Sequence, residues 1–325
     1  MALGATYSYS SNMSLVERTQ QDMGVNPARL ALERGDLTTP DLYALLALAS
    51  ARFVTRWQFE YLCFPLDAQG NPASSRRVTT RLERLQRYGL ARRVEWVSQV
   101  DPPVKHSAYT ITLSAAFLLK DWQGKRIDWE PGMGKRQLKP MLRQLAANEF
   151  RAQVLKERRD LLTDWRMLRD AEGPVASFRI NSHRYLIDCP RDDEDVCMIR
   201  PERYTRHIGT NDAEHAPFLV IVVPDDRVRV EVFERLRGDI EPHRILVTSD
   251  DRAFERSVKD PGYLWAWDTG ELVERSLLPW NKLCALHLPT VATVAPNWAS
   301  VASPAPSLEA ANTLPLPRRL EPSNR

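Results

Sequence analysis

The sequence predicts an α+β fold: a helical, locally basic first half, a long helix, and a second half in which strands and helices alternate. Three observations predict it. Ser74–Val97 reads SSRRVTTRLERLQRYGLARRVEWV, a helix with one apolar and one cationic face that stops at a glycine and runs into an alternating strand. Phe218–Val223 (FLVIVV) is a continuous apolar run between Pro217 and Pro224, the pattern of a strand buried on both faces. Between these two segments the apolar spacing stays helical from about Lys135 to Asp170.

Residues 1–36 are polar and rich in Ser, Gln and Arg, and read as a flexible arm with a weak helical signal near Asn26–Arg34. A first domain is expected over 37–134. Thr39 caps its first helix and Pro40 occupies the first helical position. Leu42, Leu45, Leu46 and Ala49 then form the apolar stripe. Thr55, with Gln58 three residues on, is a capping box that opens a short helix, Arg56–Cys63. Gly70, Asn71 and Pro72 make the following loop a turn. On the helix Ser74–Tyr88, Val78, Leu82 and Leu85 share one face, Arg76, Thr80, Arg84 and Arg87 point the other way, and Gly89 ends it. Strands Arg92–Val97 and Ala108–Leu113 flank a loop carrying Lys105 and His106, and a helix over Ser114–Trp122, capped by Ser114, follows. Helix, short helix, turn, helix, strand, strand is the order of a winged helix-turn-helix.

The long helix is expected over 135–172 as a connector or dimer element, with a change of apolar phase near Asn148 that predicts a break or a change of partner. The second domain, 173–287, reads as α/β. Ser177–Cys189 and Val196–Ile208 look like strands around the acidic turn Asp192–Asp195. Phe218–Val223, Arg244–Thr248 and Tyr263–Trp267 are further strands, separated by helices at Arg227–Arg237 and Asp251–Val258. A degenerate restriction-endonuclease-like fold is one reading of this domain. The Pro- and Ala-rich tail, 288–325, is expected to be disordered.

A chain of 325 residues with 43% hydrophobic content supports two cores. The net charge of +3 excludes a polycation, but between Ser74 and Arg93 seven arginines stand against Glu83 alone, a local excess of +6. A focused patch of that kind suits a phosphate backbone. The expected DNA contacts are Arg56; Ser74, Ser75, Arg76, Arg77, Thr79, Thr80, Arg81, Arg84 and Arg87 on or beside the third helix; and Arg92, Arg93, Lys105 and His106 on the wing.

Other chemistry is poorly supported. The chain has no GxSxG, GxxxxGK[ST] or HExxH motif, and Gly132-Met133-Gly134-Lys135 lacks the preceding apolar strand of a phosphate loop, so no cofactor is expected. Cys63, Cys189, Cys197 and Cys284 form no CxxC pair. A zinc site of Cys189, Cys197, His183 and His207 can be drawn, but its spacing matches no knuckle or ribbon. A nuclease centre would need strand-borne carboxylates near a lysine. Asp188, Glu194, Asp195, Glu202 and Glu157 are candidates, but no acidic-x-Lys pair accompanies them. No apolar run reaches membrane-spanning length and no secretory signal opens the chain, so a cytoplasmic protein is expected.

Arg81–Leu90 (RLERLQRYGL) fits the RL-x-RL-x-x-x-GL pattern of many winged helices. Tyr109–Ala116 (YTITLSAA) approaches Y-x-L-T-x-x-G, and Leu45–Leu48, Thr55–Leu62, Asn148–Leu155 and Phe218–Thr248 stand in matching order. On these segments, over roughly 39–270, the chain resembles the replication-relaxation family of plasmid and integrative-element proteins. The resemblance implies a non-enzymatic protein that binds double-stranded DNA through a winged helix, beside a degenerate nuclease-like domain, in support of plasmid replication or conjugative DNA processing. A relaxase or replication protein is its expected partner, and a homodimer is a second candidate. A winged-helix transcriptional regulator and a divergent metal-dependent nuclease are the alternatives.

Overall fold

The computed structural model describes residues 7, 9, 13–16, 24–64, 74–98, 103–124, 127, 138–158, 161–168, 173–181, 183–208, 216–255, 260–266 and 272–277. The loop at 65–73, Gly132–Lys135 and the expected disordered tail lie outside them. Residues 1–280 cluster as one unit and 281–325 as a second, which lies wholly outside the described residues.

The chain is a mixed α+β protein. Its first half contains β1 (Ser14–Val16), α1 (Asn26–Glu33), α2 (Thr39–Ala51), α3 (Arg56–Leu62), α4 (Ser75–Arg87), β2 (Ala91–Ser98), β3 (Val104–Ile111) and α5 (Leu113–Gln123). The predicted order of helices and strands is present. Two caps differ by a residue or two. Thr38, not Thr39, caps α2, because Asp41 then reaches back to the Thr38 amide at 2.9 Å and closes a capping box. Thr112, not Ser114, caps α5 and accepts from the Ala115 amide. Thr55 and Gln58 form the predicted box. The helices close on Leu42, Leu45, Leu48, Val78, Leu82 and Leu85, all buried.

The arm contributes more than expected. Leu15 of β1 pairs with Trp96, making an antiparallel sheet in the order β1-β2-β3. Val54, between α2 and α3, bridges Tyr109 of β3 on the other edge. Tyr7 is buried, and its hydroxyl donates to Glu149 at 2.9 Å.

The expected helix over 135–172 is corrected. Helix α6 (Leu138–Glu157) runs unbroken through Asn148 and ends well before Asp170, and Leu162–Met167 form a strand, β4. The apolar phase drifts because α6 is enclosed: it packs on α3, β4, β6 and a later helix, and every residue from Leu145 to Phe150 is buried. Within residues 1–280 it is a largely buried helix rather than an exposed one. Asn148 donates to the carbonyls of Ala51 and Phe53, fixing the turn after α2. In that turn Arg52 takes a positive φ and donates to the Leu168 carbonyl.

The second half adds β5 (Ala176–Ile180), β6 (His183–Asp188), α7 (Asp193–Cys197), α8 (Glu202–Ile208), β7 (Phe218–Val223), α9 (Arg229–Leu236), β8 (Ile245–Ser249), α10 (Asp250–Glu255), β9 (Tyr263–Trp265) and β10 (Val273–Arg275). Seven strands form one sheet in the order β10-β9-β8-β7-β6-β5-β4. β4, β5 and β6 are antiparallel, while β6, β7 and β8 run parallel. Phe218–Val223 is the central buried strand predicted. Val196–Ile208, expected as strand, instead begins at the end of α7 and continues into α8. Asp192 caps α7 by accepting from the Asp195 amide, and its acidic first turn suits a helix N-terminus.

Beneath α6 an aromatic row crosses four strands. Trp165, Phe178, Tyr185 and Phe218 stack in turn at centroid spacings of 5.4, 5.2 and 5.1 Å. Arg151 lies over Trp165 at one end and Arg244 over Phe218 at the other.

Candidate nucleic-acid interface

The arginines of α4 divide into two sets. Burying Val78, Leu82 and Leu85 against the helical core turns the opposite side outward. Ser74, Arg76, Arg77, Thr80 and Arg87 lie on that exposed side, and Ser75 opens the helix. Arg76, Arg77 and Arg87 make no ion pair with another described residue. The Thr80 hydroxyl donates to the Arg76 carbonyl one turn back. Thr79 is half-buried.

Arg81 and Arg84, also expected at the DNA, are engaged by the fold, with Arg84 still partly exposed. Arg81 Nε lies 2.8 Å from Asp41 Oδ1, with its guanidinium over the Phe64 ring at 4.5 Å. Arg84 Nη1 lies 3.2 Å from Asp41 Oδ2. Asp41 is fully buried, so these arginines are bound by a charge the fold cannot leave unpaired.

On the strands, Arg93 is exposed and its Nε lies 3.1 Å from Glu95 two residues along. Arg92 is half-buried, and desolvation lowers its pKa. Lys105 is exposed near the tip of the ribbon. His106 stacks on Trp96 and approaches Ser98 Oγ at 3.2 Å; burial lowers its pKa below the usual histidine value. Arg56, at the start of α3, is exposed.

In the second half two of the proposed nuclease carboxylates, Glu194 and Asp195, meet at Lys139, while Asp188 is held by other partners. Asp188, at the end of β6, is fully buried and saturated. Arg143 Nη2 donates to it at 2.6 Å, Tyr204 Oη at 2.8 Å and the Cys189 amide at 2.7 Å. Asp192, Glu194 and Asp195 all pair with Lys139, at 2.9, 3.5 and 3.1 Å, and Glu194 is otherwise largely exposed. Nearby, Arg191 donates to both oxygens of Asp250 and to the carbonyls of Cys189 and Val222, tying together the ends of β6, β7 and β8. Cys189 is buried and Cys197 exposed, and among the described residues no three His, Cys, Asp or Glu side chains gather as a metal site.

Sequence reasoning missed Asp41 as the anchor of α4. A carboxylate three residues after Thr38 is the local signal for the cap, but nothing local links it to Arg81 or Arg84. No family model, no curated protein and no solved structure matches the chain.

Proposed function

We propose that the chain is a non-enzymatic DNA-binding accessory protein of a mobile genetic element. In this reading α2, α3, α4 and the β2–β3 ribbon act as a winged helix, and α4 enters the major groove. The observation that carries it is the outward set Arg76, Arg77 and Arg87, exposed on a helix whose other side is fixed in the core. Arg56, Arg93 and Lys105 supply further exposed charge for the backbone. The Val54–Tyr109 bridge supports the assignment, because it ties the segment between α2 and α3 to the ribbon. The α/β half would dock a relaxase or replication protein, in the cytoplasm, in support of plasmid replication or conjugative DNA processing. Among the described residues no helix is long and apolar enough to cross a membrane. The saturated Asp188 favours this reading over a divergent nuclease, since its oxygens are already taken by Arg143, Tyr204 and the Cys189 amide.

The test is binding of the full chain to duplex DNA from around its own gene and to a scrambled duplex of equal length, across a range of salt. Tight, salt-dependent and sequence-selective binding is expected. Weak binding to both duplexes would overturn the reading. Preference for its own promoter over any replication or transfer origin would favour a transcriptional regulator.

A further inference from the structure

We infer that the exposed arginines Arg166, Arg179 and Arg184 of β4, β5 and β6 are a second, sequence-independent contact for the phosphates of duplex DNA; the inference rests on the reading of α4 above. Arg179 on β5 stands directly across from Arg184 on β6. Arg166 on β4 stands across from Ser177, two residues from Arg179 on the same face. All three arginines are exposed. Like charges directly opposite one another destabilise a sheet, so the fold gains nothing from Arg179 facing Arg184. Among the described residues the acid paired with Arg179 is Asp164, in the β4 bulge, at 3.5 Å, and both side chains of that pair are more than half exposed. Arg166 and Arg184 make no ion pair with another described residue. Among the described residues, two of these guanidinium groups are thus uncompensated and the third is weakly engaged.

The occupant follows from charge and spacing. Opposed and diagonal positions on an antiparallel sheet lie about 5 and 7–8 Å apart. One strand of a duplex offers a phosphate every 3.4 Å or so along the axis, so the three forks span two or three phosphates. Guanidinium groups suit this role because they bind phosphate oxygens in pairs. The face also lies at the right edge of the sheet. β4 is the edge strand, α2 packs against it, and Arg52 of the α2 turn donates to the Leu168 carbonyl at its end.

The test is a salt titration of the full chain and of the combined variant Arg166→Gln, Arg179→Gln, Arg184→Gln. Binding is read on a duplex of about 15 base pairs and on one extended to about 40, since the slope of affinity against salt counts phosphate contacts at about 0.9 each. The variant is expected to lower the slope by about 2–3 on the long duplex and to leave it unchanged on the short one. Its melting temperature is expected at or above wild type, because the Arg179–Arg184 repulsion is gone. An unchanged slope on the long duplex, while Arg76→Gln, Arg77→Gln lowers it on both, would overturn this inference alone. No duplex binding by the intact chain would overturn it together with the DNA-binding reading. A melting temperature below wild type would show the arginines to be held by the fold itself, and would also overturn it.

Discussion

Asp41 and Arg81 are joined at 2.8 Å, a fully buried carboxylate at the first turn of α2 holding a guanidinium of α4. Arg84 reaches the other oxygen of the same carboxylate, and the Thr38 amide and hydroxyl donate to it as well. One side chain therefore caps α2 and sets the rotation of α4 about its axis. That rotation decides which arginines face out.

Asp41→Ala is expected to lower stability by about 2–4 kcal/mol, from the lost cap and two unpaired arginines whose partial exposure softens the cost. Urea denaturation measures this. Arg84→Ala is expected to cost about 1 kcal/mol and to leave the salt dependence of DNA binding as it was. A lowered salt slope in Arg84→Ala would return that residue to the DNA.

A second buried carboxylate gives a pH signature. Burial raises Glu149 above the usual carboxylate range, against hydrogen bonds from Gln58, Tyr7 and Gln153 that lower it. A carboxyl raised in the folded state favours folding while protonated and loses that advantage as pH climbs through its folded pKa. Glu149→Gln is therefore expected to match wild type at low pH and to gain on it as pH rises. Urea midpoints across the pH range check this; a gap that does not change with pH would contradict it.

Asp226 runs the other way. Burial alone would raise its carboxyl, but hydrogen bonds from Arg252 and Ser249 and the charges of Arg229 and Arg252 outweigh it and hold the group down at about 2. A depressed carboxylate contributes stability above its unfolded pKa and loses it as pH falls through the folded one. Asp226→Asn is expected to cost no more than about 1 kcal/mol at neutral pH, because the group is part-exposed and screened. That deficit is expected to close between pH 4 and 2, as read from denaturant midpoints; a deficit that persists at pH 2 would contradict the assignment.

Phe178 sits inside the aromatic row, between Trp165 and Tyr185, and is buried. Phe178→Ala is expected to cost about 3–5 kcal/mol and Phe178→Leu clearly less, since leucine refills most of the cavity. Equal costs for the two would show that ring stacking, not volume, sets the stability here.

Where structure is local, the sequence shows it. The Thr55–Gln58 box, the glycine after α4 and the proline-bounded strand at Phe218 each carry their signal within a few residues. What escaped is what depends on distant partners. Asn148 looked like a break because its side chain serves carbonyls at Ala51 and Phe53, nearly a hundred residues away. Leu162–Met167 continues a helical spacing and becomes a strand because β5 offers it a ladder. Val196–Ile208 lacks a clean strand alternation, and a capped acidic turn decided for helix. In the candidate site, the amphipathic face of α4 was legible. The division of its arginines was not, because Asp41 lies two helices earlier.

DNA binding through α4 depends on its outward arginines, Arg76, Arg77 and Arg87. Binding of the full chain to duplex DNA should be titrated with salt for wild type and for the combined variant Arg76→Ala, Arg77→Ala, Arg87→Ala. The expected result is tight, salt-dependent binding by wild type and a slope lower by about 2–3 in the variant, one contact per arginine. Equal slopes and equal affinities for the two proteins would contradict α4 as the DNA-reading helix.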